Sequence, residues 1–234
     1  MTLLYEGKAK QVYATDNPDE VLIRFKDDAT AFNGRKKDVF KGKGHINLAF
    51  TRHFFDLLEA NGVKTHVISF IDEISFKSKK LQIFPLEVVI RNYAAGSVCK
   101  RLGFEKAYRF EPPLLEYFLK DDCLGDPHLC EAHIFHLKLA NSEELKQIEE
   151  ASLKINGILA SYLDSKGIIL ADFKLEFGKT SNGEILLADE ISPDNCRFWT
   201  KDTMESLDKD VYRENTGNLI SSYSRMAEIL GVQI

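Results

Sequence analysis

Read as apolar and polar positions, the chain changes period several times. QVYAT and EVLIRF alternate with period two on either side of Asp16-Asn17-Pro18, which predicts two strands joined by a turn. Ile46, Phe50, Phe54, Leu57 and Leu58 then recur at helical spacing and stop at Asn61-Gly62, a C-terminal helix signal. THVISFI and ISFKS return to strand periodicity. Beyond Pro85, LEVVIRNYAAGS predicts a strand running into a turn of small residues, with a short helix near VCKRLG. Leu145, Ile148, Ser152, Ile155, Leu159 and Tyr162 predict a helix over 142–163, and one last helix is expected from about Val211 to Leu230. Between these two, IILADFKLEFG and EILLADE flank Ser181-Asn182-Gly183, a hairpin signal. The mixed order of strands and helices gives an α+β class, with a β-rich part over 1–84 and a larger α+β part over 85–234.

The sharpest alternation is DFKLEFG at 172–178, where Phe173, Leu175 and Phe177 take one face of a strand and Asp172, Lys174 and Glu176 the other. If the hairpin brings Glu176 beside Asp189, two carboxylates repel unless a cation sits between them. Mg²⁺ is such a cation, commonly held by one or two carboxylates together with substrate phosphates. The alternative is a solvated face on which Lys174 neutralises its neighbours.

Composition narrows the choice of partners. The chain has 234 residues, 44% of them hydrophobic, enough for a sizeable core. Its 31 Lys and Arg against 36 Asp and Glu leave a net charge of −5, which argues against a general affinity for nucleic acid or an anionic membrane. No apolar run approaches the ~20 residues of a membrane helix, and MTLLYEGKAK lacks the apolar stretch of a secretory signal, so a cytoplasmic protein is expected. Cys99, Cys123, Cys130 and Cys196 form no C-x-x-C pair and are expected as free thiols. Cys123, His128, Cys130, His133 and His136 are zinc-ligand types, but the turn chemistry of Gly125-Asp126-Pro127 and the irregular spacing favour a solvated loop.

Three further segments carry anion-binding chemistry. Gly7-Lys8-Ala9-Lys10 lies between strand-like stretches, where a glycine lets backbone amides approach a phosphate and Lys8 and Lys10 can point the same way. It is no Walker motif, and solvated lysines are the alternative. In RNYAAGS, Arg91 closes a strand, and the turn up to Ser97 offers amides and a hydroxyl; a tight connection that merely needs small residues is the alternative. SPDNCR supplies Asp194 and Arg197, whose planar fork suits phosphate or carboxylate; a surface arginine in a polar loop is the alternative. Lysines, glycines, paired carboxylates and forked arginines together indicate a nucleotide-dependent enzyme.

YEGKAKQVY, KDDATAFNG, KGHIN, PLEVVIRNYAAGSVCKRLG, DFKLEFG, LADEISPDNCRFW and MESLDKDVYR, in this order over nearly the whole chain, resemble the bacterial SAICAR synthetases. The resemblance implies two α+β parts with ATP between them, an arrangement similar to protein kinases. It also implies ATP-dependent joining of L-aspartate to the carboxylate of carboxyaminoimidazole ribonucleotide (CAIR), and a homodimer. By the same resemblance Lys8 and Lys10 contact nucleotide phosphates, and Glu176 and Asp189 hold Mg²⁺. Arg91, Ser97 and Arg197 bind CAIR, Asp172 and Lys174 share its pocket, and Arg213 meets an anionic substrate. Asn33 stands where many members carry Asp, which puts a charged role there in question. A small-molecule kinase and a nucleotide-binding regulatory module are the competing readings; the first needs no amine, and the second fits poorly with both carboxylates present.

Overall fold

The computed structural model describes residues 2–31 and 36–234, so Asn33 lies outside the described residues. In chain order the described elements are β1 (Leu3–Glu6), β2 (Lys10–Ala14), β3 (Glu20–Phe25), β4 (Asp28–Ala31), β5 (Lys36–Val39), α1 (Lys43–Ala60), β6 (Val67–Phe70), β7 (Ser75–Lys79), β8 (Gln82–Ile83), β9 (Leu86–Tyr93) and α2 (Ser97–Leu102). They continue with β10 (Arg109–Leu119), β11 (His128–Leu129), α3 (Glu131–His136), α4 (Ser142–Ser165), β12 (Ile168–Lys179), β13 (Ile185–Ala188), β14 (Cys196–Thr200), α5 (Asp210–Arg213) and α6 (Leu219–Leu230).

Two sheets result. The first has the order β1-β2-β3-β7-β6; the second runs β11-β10-β9-β12-β13, with β8 and β14 also paired to β12. Every pairing within them is antiparallel. Strand β12 organises the second sheet: its first half lies between β9 and β14, its second half between β8 and β13.

Helix α1 joins the layers because its apolar residues face two ways. Leu48 packs with Val21, Ile23, Phe25 and Phe76 of the first sheet, whereas Phe50, Phe54, Phe55 and Leu58 enter the main core with Phe173, Leu175 and Phe177 of β12. The long α4 starts at a capping box, in which Asn141 Oδ1 accepts from Glu144 N–H at 2.9 Å and Glu144 Oε2 from Asn141 N–H at 2.9 Å.

The structure corrects several expectations. The single terminal helix is two, α5 and α6, because Asn215 adopts φ 54° and the Asn218 side chain caps α6 by accepting from Ser221 N–H at 3.0 Å. The solvated loop around Cys130 contains the helix α3, with Cys130 as its N-cap and Ile134 fully buried. Arg197 stands on strand β14 and not in a turn. Strand β10 was not foreseen, since Pro112 and Pro113 interrupt its pattern.

Candidate active site

The register of the second sheet explains the charges of DFKLEFG. Asp172 of β12 faces Arg91 of β9 and Arg197 of β14, and Lys174 faces Val89, which in turn faces Glu116 of β10. Residues of equal parity share a face, so Glu87, Arg91, Glu116, Asp172, Lys174 and Glu176 converge on one side. Phe173, Leu175 and Phe177 sit in the core on the other, each no more than 2% exposed. The charged face is not a solvated one: Asp172 and Glu176 are both 3% exposed.

Its charges sort into two networks. In the first, Lys174 Nζ bonds Glu176, lies 3.1 Å from Glu87 Oε1 and 3.3 Å from Asp189 Oδ2. Lys10 also bonds Asp189 and stands 3.7 Å from Glu190 Oε1, while Lys120 bonds Glu176. Burial opposes the charge of Lys174, yet Glu176, Asp189 and Glu87 outweigh it and hold the ammonium well above its ordinary pKa. Burial likewise opposes the charge of Asp189, and Lys10, Lys174 and Lys120 override it to hold the carboxyl far below the usual range. Asp189 follows the end of β13 and adopts φ 60°, a left-handed conformation that Asp takes more readily than most residues other than glycine and that turns the chain out of the hairpin.

In the second network, Arg91 Nε donates to Glu116 Oε2 at 2.6 Å, its NH1 to Asp172, and its NH2 to Ser97 Oγ at 3.2 Å. Arg197 NH1 donates to both oxygens of Asp172 at 2.9 Å, and its Nε to Asp210 Oδ2 at 2.6 Å. Arg213 donates to the other Asp210 oxygen at 2.6 Å. Burial works against the Arg197 charge, but Asp172 and Asp210 raise its pKa above the ordinary arginine value. Gly96 lies against this network: it adopts φ 60°, and a Cβ there would meet Arg197 NH2 at 2.5 Å.

Beside these, Lys43, fully buried at the start of α1, places Nζ 2.5 Å from Asp194 Oδ2, and Tyr223 donates to Asp194 Oδ1 at 2.6 Å. Lys209 Nζ lies 3.6 Å from the same carboxylate. The loop from Glu190 to Asn195 is thereby anchored against α1 and α6.

Of the residues singled out in the sequence, Lys10, Lys174, Glu176 and Asp189 come together, as do Arg91, Ser97, Asp172, Arg197 and Arg213. Lys8 does not join them; it is exposed and pairs with Asp122 at 2.5 Å. Cys123, His128, Cys130, His133 and His136 form no metal-holding group among the described residues. Glu87, Glu116, Lys120, Glu190 and Asp210 were missed. Glu87 shares its parity with Arg91 in a strand that was read correctly, so it was within reach of the pattern; Glu116 and Lys120 belong to the unforeseen β10 and its end.

Comparison with known proteins decides the family. The sequence model of SAICAR synthetase matches residues 3–230. The chain belongs to the SAICAR synthetase family. A phosphoribosylaminoimidazole-succinocarboxamide synthase of Coprothermobacter proteolyticus is 50% identical over 99% of this chain and 98% of its own length. One of Caldanaerobacter subterraneus is 54% identical over 94% of each. The crystal structure of the Ehrlichia chaffeensis synthase superposes with a TM-score of 0.96 at 43% identity, covering 99% of both chains. A SAICAR synthetase solved in complex with ADP superposes at 0.94 with 50% identity, covering 97% of this chain and 96% of that one. The α+β architecture with two antiparallel sheets is thus that of a SAICAR synthetase.

Proposed function

We propose that this chain joins L-aspartate to the carboxylate of CAIR at the expense of ATP, giving SAICAR, ADP and phosphate. Family membership supports the overall reaction, and a relative solved in complex with ADP supports the nucleotide. The observation that carries the reading is the cation-rich charged face of the second sheet, where three lysines and two arginines, Lys10, Lys120, Lys174, Arg91 and Arg197, meet buried or half-buried carboxylates.

A carboxylate is a poor acyl donor toward an amine. The γ-phosphoryl of ATP passes first to the CAIR carboxylate, and the resulting acyl phosphate is attacked by the aspartate amine. Phosphoryl transfer asks the protein for position and charge neutralisation and for no covalent nucleophile. Lys10 takes the nucleotide phosphates, while Lys8 stays exposed and paired with Asp122. Lys174 meets the reacting carboxyl and phosphoryl oxygens, and its strengthened charge suits that task. Arg91, Ser97 and Arg197 hold the anionic groups of CAIR, Asp172 orients both arginines, and Arg213 faces the second anionic substrate. The nucleotide lies between the parts 1–84 and 85–234.

Glu176 and Asp189, two carboxylates and not, among the described residues, a preformed group of three ligands, fit Mg²⁺ in that both already converge on one cation, the Lys174 ammonium, and Glu190, 3.7 Å from the Lys10 that bonds Asp189, leaves Oε2 buried without a partner. When bound, the ion would neutralise charge on the phosphates. The test is incubation with ATP, Mg²⁺ and CAIR, with and without aspartate. Aspartate-dependent ADP release with a product of the mass of SAICAR supports the reading. Absence of a product of the mass of SAICAR, or transfer of phosphate to a hydroxyl, overturns it.

A further inference from the structure

Arg91 is held more tightly than an anion-binding arginine requires. Its Nε edge is closed by Glu116, and both ends of that pair are 4% exposed. Glu116 lies two residues along β10 from Leu114, the direct partner of Arg91, so it reaches Arg91 diagonally on the same face. The other Glu116 oxygen accepts from Arg101 of α2, the helix whose first residue is Ser97. One carboxylate therefore ties the strand carrying Arg91 to the helix carrying Ser97. A lone buried carboxylate would be costly, and two guanidinium groups make this one tolerable. With the Nε edge fixed, NH1 and NH2 are turned toward Asp172, Ser97 and the pocket.

We propose that Glu116 is a positioning residue for CAIR, acting through Arg91 on one oxygen and through Arg101 on the other, with Arg101, in the last turn of α2, pinning the helix that begins at Ser97. This rests on the assignment of Arg91 and Ser97 to CAIR made above. Glu116 need not touch substrate. Its effect is confined to the orientation of the guanidinium and of the Ser97 hydroxyl.

The test is steady-state kinetics on Glu116→Gln, Arg101→Gln and Arg91→Lys and on the double variant Glu116→Gln with Arg91→Lys, with KM for CAIR and for ATP measured separately. Glu116→Gln and Arg101→Gln are each expected to raise the KM for CAIR about tenfold, the scale of one charge-assisted hydrogen bond, with the KM for ATP unchanged. Glu116→Asp recovers part of the loss. On an Arg91→Lys background, which has no Nε to orient, Glu116→Gln is expected to add less than about twofold. Should Glu116→Gln not fold, Arg101→Gln, a change at a side chain 30% exposed, carries the test. A folded Arg101→Gln with the wild-type KM for CAIR overturns the proposal, as does an undiminished Glu116→Gln effect on the Arg91→Lys background. If Arg91→Lys itself leaves the KM for CAIR unchanged, the assignment of Arg91 to CAIR falls and the positioning role falls with it.

Discussion

Lys174 faces three carboxylates, those of Glu87, Glu176 and Asp189, and its removal leaves them facing one another. Lys174→Met is therefore expected to lower the melting temperature as well as turnover, the latter by about two or more orders of magnitude. Lys174→Arg separates the two effects: it keeps the charge, so the melting temperature recovers, while the wider guanidinium leaves turnover low. Recovery of both would make the site indifferent to the geometry of the ammonium. Asp189→Asn removes one charge from the pair proposed to hold Mg²⁺ and should cost several kcal/mol of transition-state stabilisation, read as turnover against Mg²⁺ concentration. His66 gives a separate pH signature. It is 3% exposed, and burial, with Lys10 nearby, depresses its pKa to about 3. The folded protein keeps the ring neutral while the unfolded chain protonates it below about 6.5, so its contribution is complete above that pH. It is lost as pH falls from 6.5 toward 3, at up to ~1.4 kcal/mol per pH unit. Urea titrations at pH 7 and pH 5 should show a smaller drop for His66→Phe than for the wild type; equal drops would place the ring's proton elsewhere.

The turn from Ala94 to Ser97 shows how an element serves the site. Its small residues let Arg197 lie against Gly96, so Gly96→Ala, with Cβ aimed into the guanidinium and φ at 60°, should displace Arg197. The expected result is a KM for CAIR raised more than that for ATP; equal kinetics would show that Arg197 can move without loss. The small-residue run was visible in the sequence as a turn, but its contact with Arg197 was not, because that contact spans about a hundred residues. The same limit applies elsewhere. The period of two in DFKLEFG revealed a charged face, and the register with β9, β10 and β14, which a single strand does not encode, decides that Asp172 meets two arginines while Lys174 and Glu176 meet the other network. The α1 and α4 stripes were legible because their apolar residues repeat over several turns. The break between α5 and α6 was hidden because Val211, Leu219 and Tyr223 all remain apolar and buried across it. Strand β10, with its prolines, gave no strand signal at all, and with it went Glu116.

At the scale of the molecule, α1 couples the two sheets, and Phe54, fully buried between Phe50 and Phe198 at ring distances of 6.1 and 5.9 Å, lies in the common core. Phe54→Ala should cost about 3–5 kcal/mol, measured as a shift of the urea midpoint. The backbone adds a second link: His66 N–H donates to Leu187 O at 2.9 Å and Lys79 N–H to His66 O at 2.8 Å, so the edge of the first sheet is stitched to β13 beside Asp189. Lys10 from the first sheet and Lys174 from the second thereby meet across one carboxylate, Asp189, beside which the proposed reaction passes a phosphoryl group from nucleotide to carboxylate. Isotope transfer reports that passage. With ATP, Mg²⁺, aspartate and CAIR labelled with ¹⁸O in its carboxylate, an acyl phosphate predicts one ¹⁸O in the phosphate released per turnover. Phosphate free of label, with SAICAR still formed, would contradict it.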